Sequence, residues 1–83
     1  MEVLSSLPNI SKVIESKLND VGIQTKEQLF AIGSKDAFVR IRMKNTDTCI
    51  NMLYAIEGAI EGIRWHDLSN NKKTELKDFY KTL

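Results

Sequence analysis

Residues 34–44 read SKDAFVRIRMK, and the fold class turns on six of them. In FVRIRM (38–43), Phe38, Arg40 and Arg42 alternate with Val39, Ile41 and Met43, the period of a strand. Read with the period of a helix, the same segment puts Ala37, Phe38 and Ile41 on one inward stripe, with Val39 as a further candidate. A strand needs a partner, and no other stretch alternates for long enough to supply one. The segment is therefore read as a helix, with Ser34 as its N-cap.

Outward from this segment the pattern is helical throughout. Upstream, Ile10, Val13, Ile14, Lys17, Leu18 and Val21 recur at steps of three and four, and Gly22 follows at the C′ position, where a positive φ costs glycine little. Thr25 and Gln28 have the spacing of a capping box, opening a short helix that carries Leu29, Phe30 and Ile32 and stops at Gly33. Downstream, KNTD (44–47) breaks the pattern, and Thr46 or Asp47 is expected to cap the next helix. Its core positions are Met52, Leu53, Ile56, Ala59, Ile60 and Ile63, with Cys49 on the same apolar stripe. This is the longest regular stripe and so the predicted central helix. Trp65 and Leu68 fall in a turn, Ser69 opens the last helix, and Leu76, Phe79, Tyr80 and Leu83 follow at i, i+3, i+4 and i+7. The expected fold is all-α: a compact bundle of four to five short helices, one domain over residues 1–83.

Composition narrows the function. With 83 residues and 42% apolar side chains, the chain can build a core, at a thin stability margin. The single cysteine excludes an internal disulfide. The N-terminus lacks a secretory apolar region, and no stretch approaches the roughly 20 apolar residues of a membrane span. These features predict a cytoplasmic protein with no membrane partner. The formal charge of +1 provides no whole-molecule field, so any nucleic-acid contact must come from a local patch.

Two segments are candidates for such contact. LPNISK (7–12) has the outline of a helix-hairpin-helix turn, apolar-Gly-apolar-Gly after Leu-Pro, with Asn9 and Ser11 in the glycine places around Ile10. Glycines there would let backbone amides approach a phosphate at a helix N-terminus. Asn tolerates positive φ and Ser caps well, so the stretch reads either as a capped turn with Ile10 in the core or as a phosphate hairpin flanked by Lys12. LFAIGSKDAFVRIR (29–42) repeats the arrangement, with Ser34 and Lys35 at its turn. Lys35, Arg40, Arg42 and Lys44 cluster there against one acid, Asp36. Arg40 and Lys44 share a helix face while Arg42 lies about 200° from Arg40, so no continuous basic stripe is built.

The remaining signals are structural. In EGAIEG (57–62), Gly58 and Gly62 stand one turn apart. Two glycines in a helix imply close approach of another backbone, within the domain or in a homodimer. RWHDL (64–68) sets His66 beside Asp67, but adjacency does not hold a nucleophile or water for a base. Cys49, on an apolar stripe, reads as a buried thiol. One cysteine and one histidine do not make a structural zinc site. There is no P-loop, dinucleotide fingerprint or carboxylate pair. No catalytic residue, metal, cofactor or small-molecule substrate is predicted, and the chain is read as no enzyme.

The pattern GI-T--L--IG---AF-R-R, carried by Gly22, Ile23, Thr25, Leu29, Ile32, Gly33, Ala37, Phe38, Arg40 and Arg42, closely resembles the C-terminal domain of the TfoX (Sxy) competence-regulator family. LYAIEGAIEG (53–62) and RWHDL (64–68) carry the resemblance onward, so that it spans roughly residues 5 to 81. It implies an all-helical fold of helix-hairpin-helix (SAM-like) character and a role in natural competence or transcription regulation. Family members often carry a further domain in front of this one. Two functional readings follow. In the first, a regulatory module contacts DNA or the transcription machinery through its turns, with Asn9, Ile10, Ser11, Lys12, Ser34 and Lys35 at the phosphate and Arg40, Arg42 and Lys44 adding charge. The alternative is a protein–protein adaptor or dimerisation module that binds no nucleic acid.

Overall fold

In the computed structural model, which describes residues 4–45 and 48–83, the decisive segment is a helix. Five helices follow in order: α1 (Lys12–Asp20), α2 (Lys26–Ile32), α3 (Ser34–Lys44), α4 (Ile50–Glu61) and α5 (Asn70–Lys81). Single 3-10 turns, Leu4–Ser6 and Trp65–Asp67, precede α1 and join α4 to α5. The described residues contain no strand. Ala37, Phe38 and Ile41 are all fully buried. A strand would send Phe38 and Ile41 to opposite faces, whereas the helix gathers all three. Val39 is half-buried, and Arg40 and Met43 face out.

The core has two lobes, and α3 and α4 divide them. Ala37 and Ile41 of α3 meet Ile56 and Ala59 of α4 in one lobe, together with Leu18, Ile23 and Leu29 from α1, α2 and the loop between them. One step round each helix, Phe38 and Leu53 belong to the second lobe with Leu68 and Leu76. Burying each such side chain stabilises by about 1.5–3 kcal/mol, so the α3–α4 pair, shared by both lobes, is the spine of the domain. The longest apolar stripe, on α4, does lie at its centre.

The local signals act at the ends of these helices. The capping box is complete: the Gln28 amide donates to Thr25 Oγ1 at 3.1 Å, and Gln28 Oε1 accepts from the Thr25 amide at 3.2 Å. Ser11 and Ser69 cap α1 and α5, accepting from the amides of Ile14 and Lys72. Several expectations need correction. Gly33, at φ 86°, occupies the N-cap of α3, and Ser34 is the first helical residue. Its hydroxyl turns inward, because a glycine at the cap frees the serine to bond elsewhere. Val13 is 64% exposed, since it stands about 100° round α1 from Ile14, which packs on the core. Cys49 is not a buried thiol; it stands exposed at the N-cap of α4, before the apolar stripe enters the core. Leu83 lies beyond the end of α5 and is exposed. The expected caps Thr46 and Asp47 lie outside the described residues.

Candidate functional site

The first of the two candidate turns is built on Leu7-Pro8-Asn9-Ile10. Ile10 donates its amide to the Leu7 carbonyl at 3.4 Å, and Asn9 adopts φ 67°, the left-handed region that Asn enters more readily than most residues. That backbone aims the Asn9 side chain at the C-terminal end of α4. Its Nδ2 donates to the Ile63 carbonyl at 2.9 Å and to the Ala55 carbonyl at 3.4 Å, and its Oδ1 accepts from the Trp65 amide at 3.2 Å. Each group has a partner of matching polarity, so the amide is satisfied inside the fold. Ile10 is 5% exposed and sits in the core. Ser11 is spent on its cap. Lys12 is exposed and makes no hydrogen bond or ion pair with a described residue.

Gly58 makes this clasp possible. A Cβ at that position would lie 2.6 Å from Asn9 Nδ2, 2.9 Å from the Ile63 oxygen and 3.1 Å from Trp65 Cα. The close approach is therefore internal, between α4 and the two turns that cover it. Gly62 has a different role: it is the left-handed C-cap of α4, and a Cβ there would meet nothing within 4 Å. The two glycines do not form one packing face, because the helix ends at the second. Any homodimer has to use a surface other than Gly58, which the chain itself covers.

At the second turn the interactions are charged. Ser34 Oγ donates to Glu57 Oε1 at 2.6 Å, and Lys35 pairs with Glu75 of α5 at 2.7 Å while its ammonium lies 5.6 Å from the Phe79 ring. Lys72 reaches the same Glu75 oxygen at 3.5 Å. Ser34, Lys35, Glu57 and Glu75 line an open cleft of about 350 Å³ with Ile32, Gly33 and Asp36. Burial pushes the Glu57 carboxyl up, but hydrogen bonds from Glu61 and Ser34 and the charge of Lys72 outweigh it, and the group ends below the usual range. Glu61, hydrogen-bonded to Glu57, is raised in turn. The Lys35 hydrogen bond and charge hold Glu75 low. An anion at the start of α3 would meet Asp36, Glu57 and Glu75, and the one lysine of the turn is already paired.

The other basic residues of α3 diverge. Arg42 Nη1 donates to the Thr48 carbonyl at 3.1 Å, and its guanidinium lies 5.2 Å from the Tyr80 ring. Lys44 donates to the Asp20 carbonyl at the end of α1, at 2.8 Å. Arg40 alone points to solvent without a described partner. Nor do the two turns meet. Asn9 grips the side of α4 around Ala55 and Gly58, whereas Glu57 projects more than roughly 100° away around that helix. Cys49 and His66 flank opposite ends of α4, whose 12 residues span about 18 Å. Among the described residues no group of three or more His, Cys, Asp or Glu could hold a metal ion, and no helix is long and apolar enough to cross a membrane.

One feature escaped the sequence reading. Trp65 stacks with two rings: Tyr54 at 6.0 Å and His66 at 3.9 Å between centroids. Lys73 of α5 lies over the Trp65 ring at 6.0 Å and donates to the His66 carbonyl at 3.2 Å. The adjacency of Trp65 and His66 was visible in the sequence. The contributions of Tyr54 and Lys73 come from other helices and were not.

These observations define the class: a small all-helical domain in which two turns clasp a central helix, and no metal-ligand cluster is assembled among the described residues. The chain belongs to the TfoX C-terminal domain family, whose model matches residues 1–80. It is 34% identical over 82 residues to Protein Sxy of Escherichia coli (strain K12), an alignment covering 99% of this chain and 39% of that protein. The chain thus spans about two fifths of that relative's length. Two crystal structures from Listeria monocytogenes are also similar. One is of an uncharacterized protein, in a triclinic form, with a TM-score of 0.96 and 49% identity over 98% of this chain and 92% of that one. The other is of a protein of unknown function, in a tetragonal form, with a TM-score of 0.92 and 50% identity over 94% of this chain and 96% of that one.

Proposed function

We propose that this domain is a non-enzymatic, cytoplasmic regulatory module that acts in competence or transcription control and whose hairpin side contacts a protein of the transcription machinery. Family membership and the likeness to Protein Sxy support the regulatory part of this reading. The choice of protein over DNA for that side rests on one observation: both turns are occupied from within. Asn9 is bonded to α4 and the following turn, and the start of α3 is ringed by Asp36, Glu57 and Glu75 with Lys35 already paired. A phosphate hairpin needs amides and cations directed outward at one place, and the favourable arrangement here runs inward. What these turns offer a partner is a rigid, mixed-charge surface.

The test is site-specific photo-crosslinking in cells, with a crosslinking residue in place of Lys12 or Arg40, both exposed and unengaged among the described residues. The expected adducts are proteins of the transcription apparatus. Adducts to nucleic acid at both positions, with loss of salt-sensitive duplex binding in Lys12→Glu and Lys35→Glu, would restore the phosphate-hairpin reading.

A further inference from the structure

Helix α5 carries Lys73, Lys77 and Lys81 at steps of four. At 100° per residue and 1.5 Å rise these three ammonium groups form one stripe, spaced along the helix axis by about 6 Å. Of the acids of α5, Asp78 borders the stripe, about 60° round from Lys81, while Glu75 is about 120° round and is turned toward Lys35. Among the described residues none of the three lysines has a carboxylate partner. Lys73 bonds a neutral carbonyl and a ring face, which leave its charge in place.

The stripe continues into the aromatic stack. Lys73, at its N-terminal end, lies over Trp65, and the exposed His66 ring stacks on Trp65. Arg64 is exposed beside it. A row of cations without carboxylate partners leading to an exposed ring stacked on a second is the arrangement that takes a single nucleic-acid strand. Phosphates follow the cations, and a splayed base stacks on the ring. An acidic peptide would use the lysines but gain little from the ring.

We infer that the α5 face, Lys73, Lys77 and Lys81 with His66 at its head, binds single-stranded nucleic acid by its phosphates and one unpaired base. With a net charge of +1 the binding is local and weak. Three neutralised phosphates give a salt dependence of about two decades in affinity per decade of salt.

The experiment is fluorescence anisotropy of a labelled oligothymidine, with a duplex of the same length and polyglutamate as competitors, at low and near-physiological salt. Salt-sensitive binding is expected, weakened on the order of tenfold or more in Lys73→Glu/Lys77→Glu/Lys81→Glu. The Lys77→Glu/Lys81→Glu pair, which leaves the Trp65 contact intact, should weaken it in part. His66→Ala should weaken the single strand but not the duplex, and Lys12→Glu should change nothing. Far-UV circular dichroism checks that each variant is folded. No binding at low salt, undiminished binding by the folded lysine variants, or competition by polyglutamate equal to that of the oligonucleotide would each overturn the inference.

Discussion

The two turns that clasp α4 solve one problem by different chemistry. At Leu7–Ile10 the closure is neutral: an asparagine amide bridges two carbonyls and an amide of the α4 end and the turn after it. At Gly33–Ser34 it is ionic: a serine hydroxyl on the Glu57 carboxylate and a lysine on Glu75. The backbone decides which is possible. Asn9 takes the positive φ itself and so directs its own side chain inward, while Gly33 takes the positive φ of the second turn and leaves the next residue to bond. The neutral clasp should therefore be indifferent to pH and salt, and the ionic one sensitive to both.

The largest expected effect tests the tightest point of the neutral clasp. Gly58→Ala should destabilise by about 2–3 kcal/mol. Two of the three atoms its Cβ would meet are backbone, and the gain in helix propensity of about 1 kcal/mol does not offset that. Urea unfolding measures it; a variant as stable as the parent would show that the turns do not press on α4. Next comes Asn9→Ala, at about 2 kcal/mol, because it strands the Ile63 carbonyl and the Trp65 amide and puts a Cβ residue at positive φ. Asn9→Gly keeps the backbone and should recover about 1 kcal/mol of that loss. Equal losses in the two variants would assign everything to the hydrogen bonds.

The ionic clasp should give less. Ser34→Ala is expected to cost about 1 kcal/mol at neutral pH, the hydroxyl–carboxylate bond being partly solvated. Its acid behaviour is the sharper test. Glu57 and Glu75 are held below their ordinary value of 4.5, so they bind protons more weakly folded than unfolded. Their contribution is present above pH 4.5 and is lost as pH falls through their lowered values. Glu61 is raised and works in the opposite sense: its contribution is complete below pH 4.5 and is lost as pH rises through its folded value, which blunts the acid loss. Thermal melts on the acid side should show stability falling with pH, and Ser34→Ala should flatten that fall. A steeper fall in the variant would mean that the serine does not hold Glu57 low. At the small end, Lys12→Glu should stay within about 0.5 kcal/mol of the parent at any pH.

The legible parts of this molecule are those set by near neighbours. Thr25 and Gln28 meet because they are three residues apart on one helix turn, and Ser11 and Ser69 cap for the same reason. Ala37, Phe38 and Ile41 reveal the helix because a partnerless strand would strand its backbone groups. Burial at the ends was less legible. Val13 and Cys49 carry the right residue type, yet Val13 falls at the edge of its stripe, about 100° from Ile14, and Cys49 stands before its helix begins.

The candidate site was read less well than the fold. Sequence could place Asn9, Ser34, Lys35, Arg42 and Lys44 at turns and helix faces, but it could not see Ala55, Ile63, Glu57, Glu75, Tyr80 or Asp20 arriving as their partners. Those pairs lie on different elements, and only the packing of α1 and its leading turn, α3, α4 and α5 brings them together. By itself the sequence determined an all-helical bundle of four to five helices, the caps at Ser11, Thr25 and Ser69 and most of each inward stripe, since periodicity and local hydrogen bonding act over one or two turns. Tertiary structure alone decided which polar groups are spent inside the fold and which, such as the lysines of α5, still face outward. Partners far apart in the chain leave no local pattern to read.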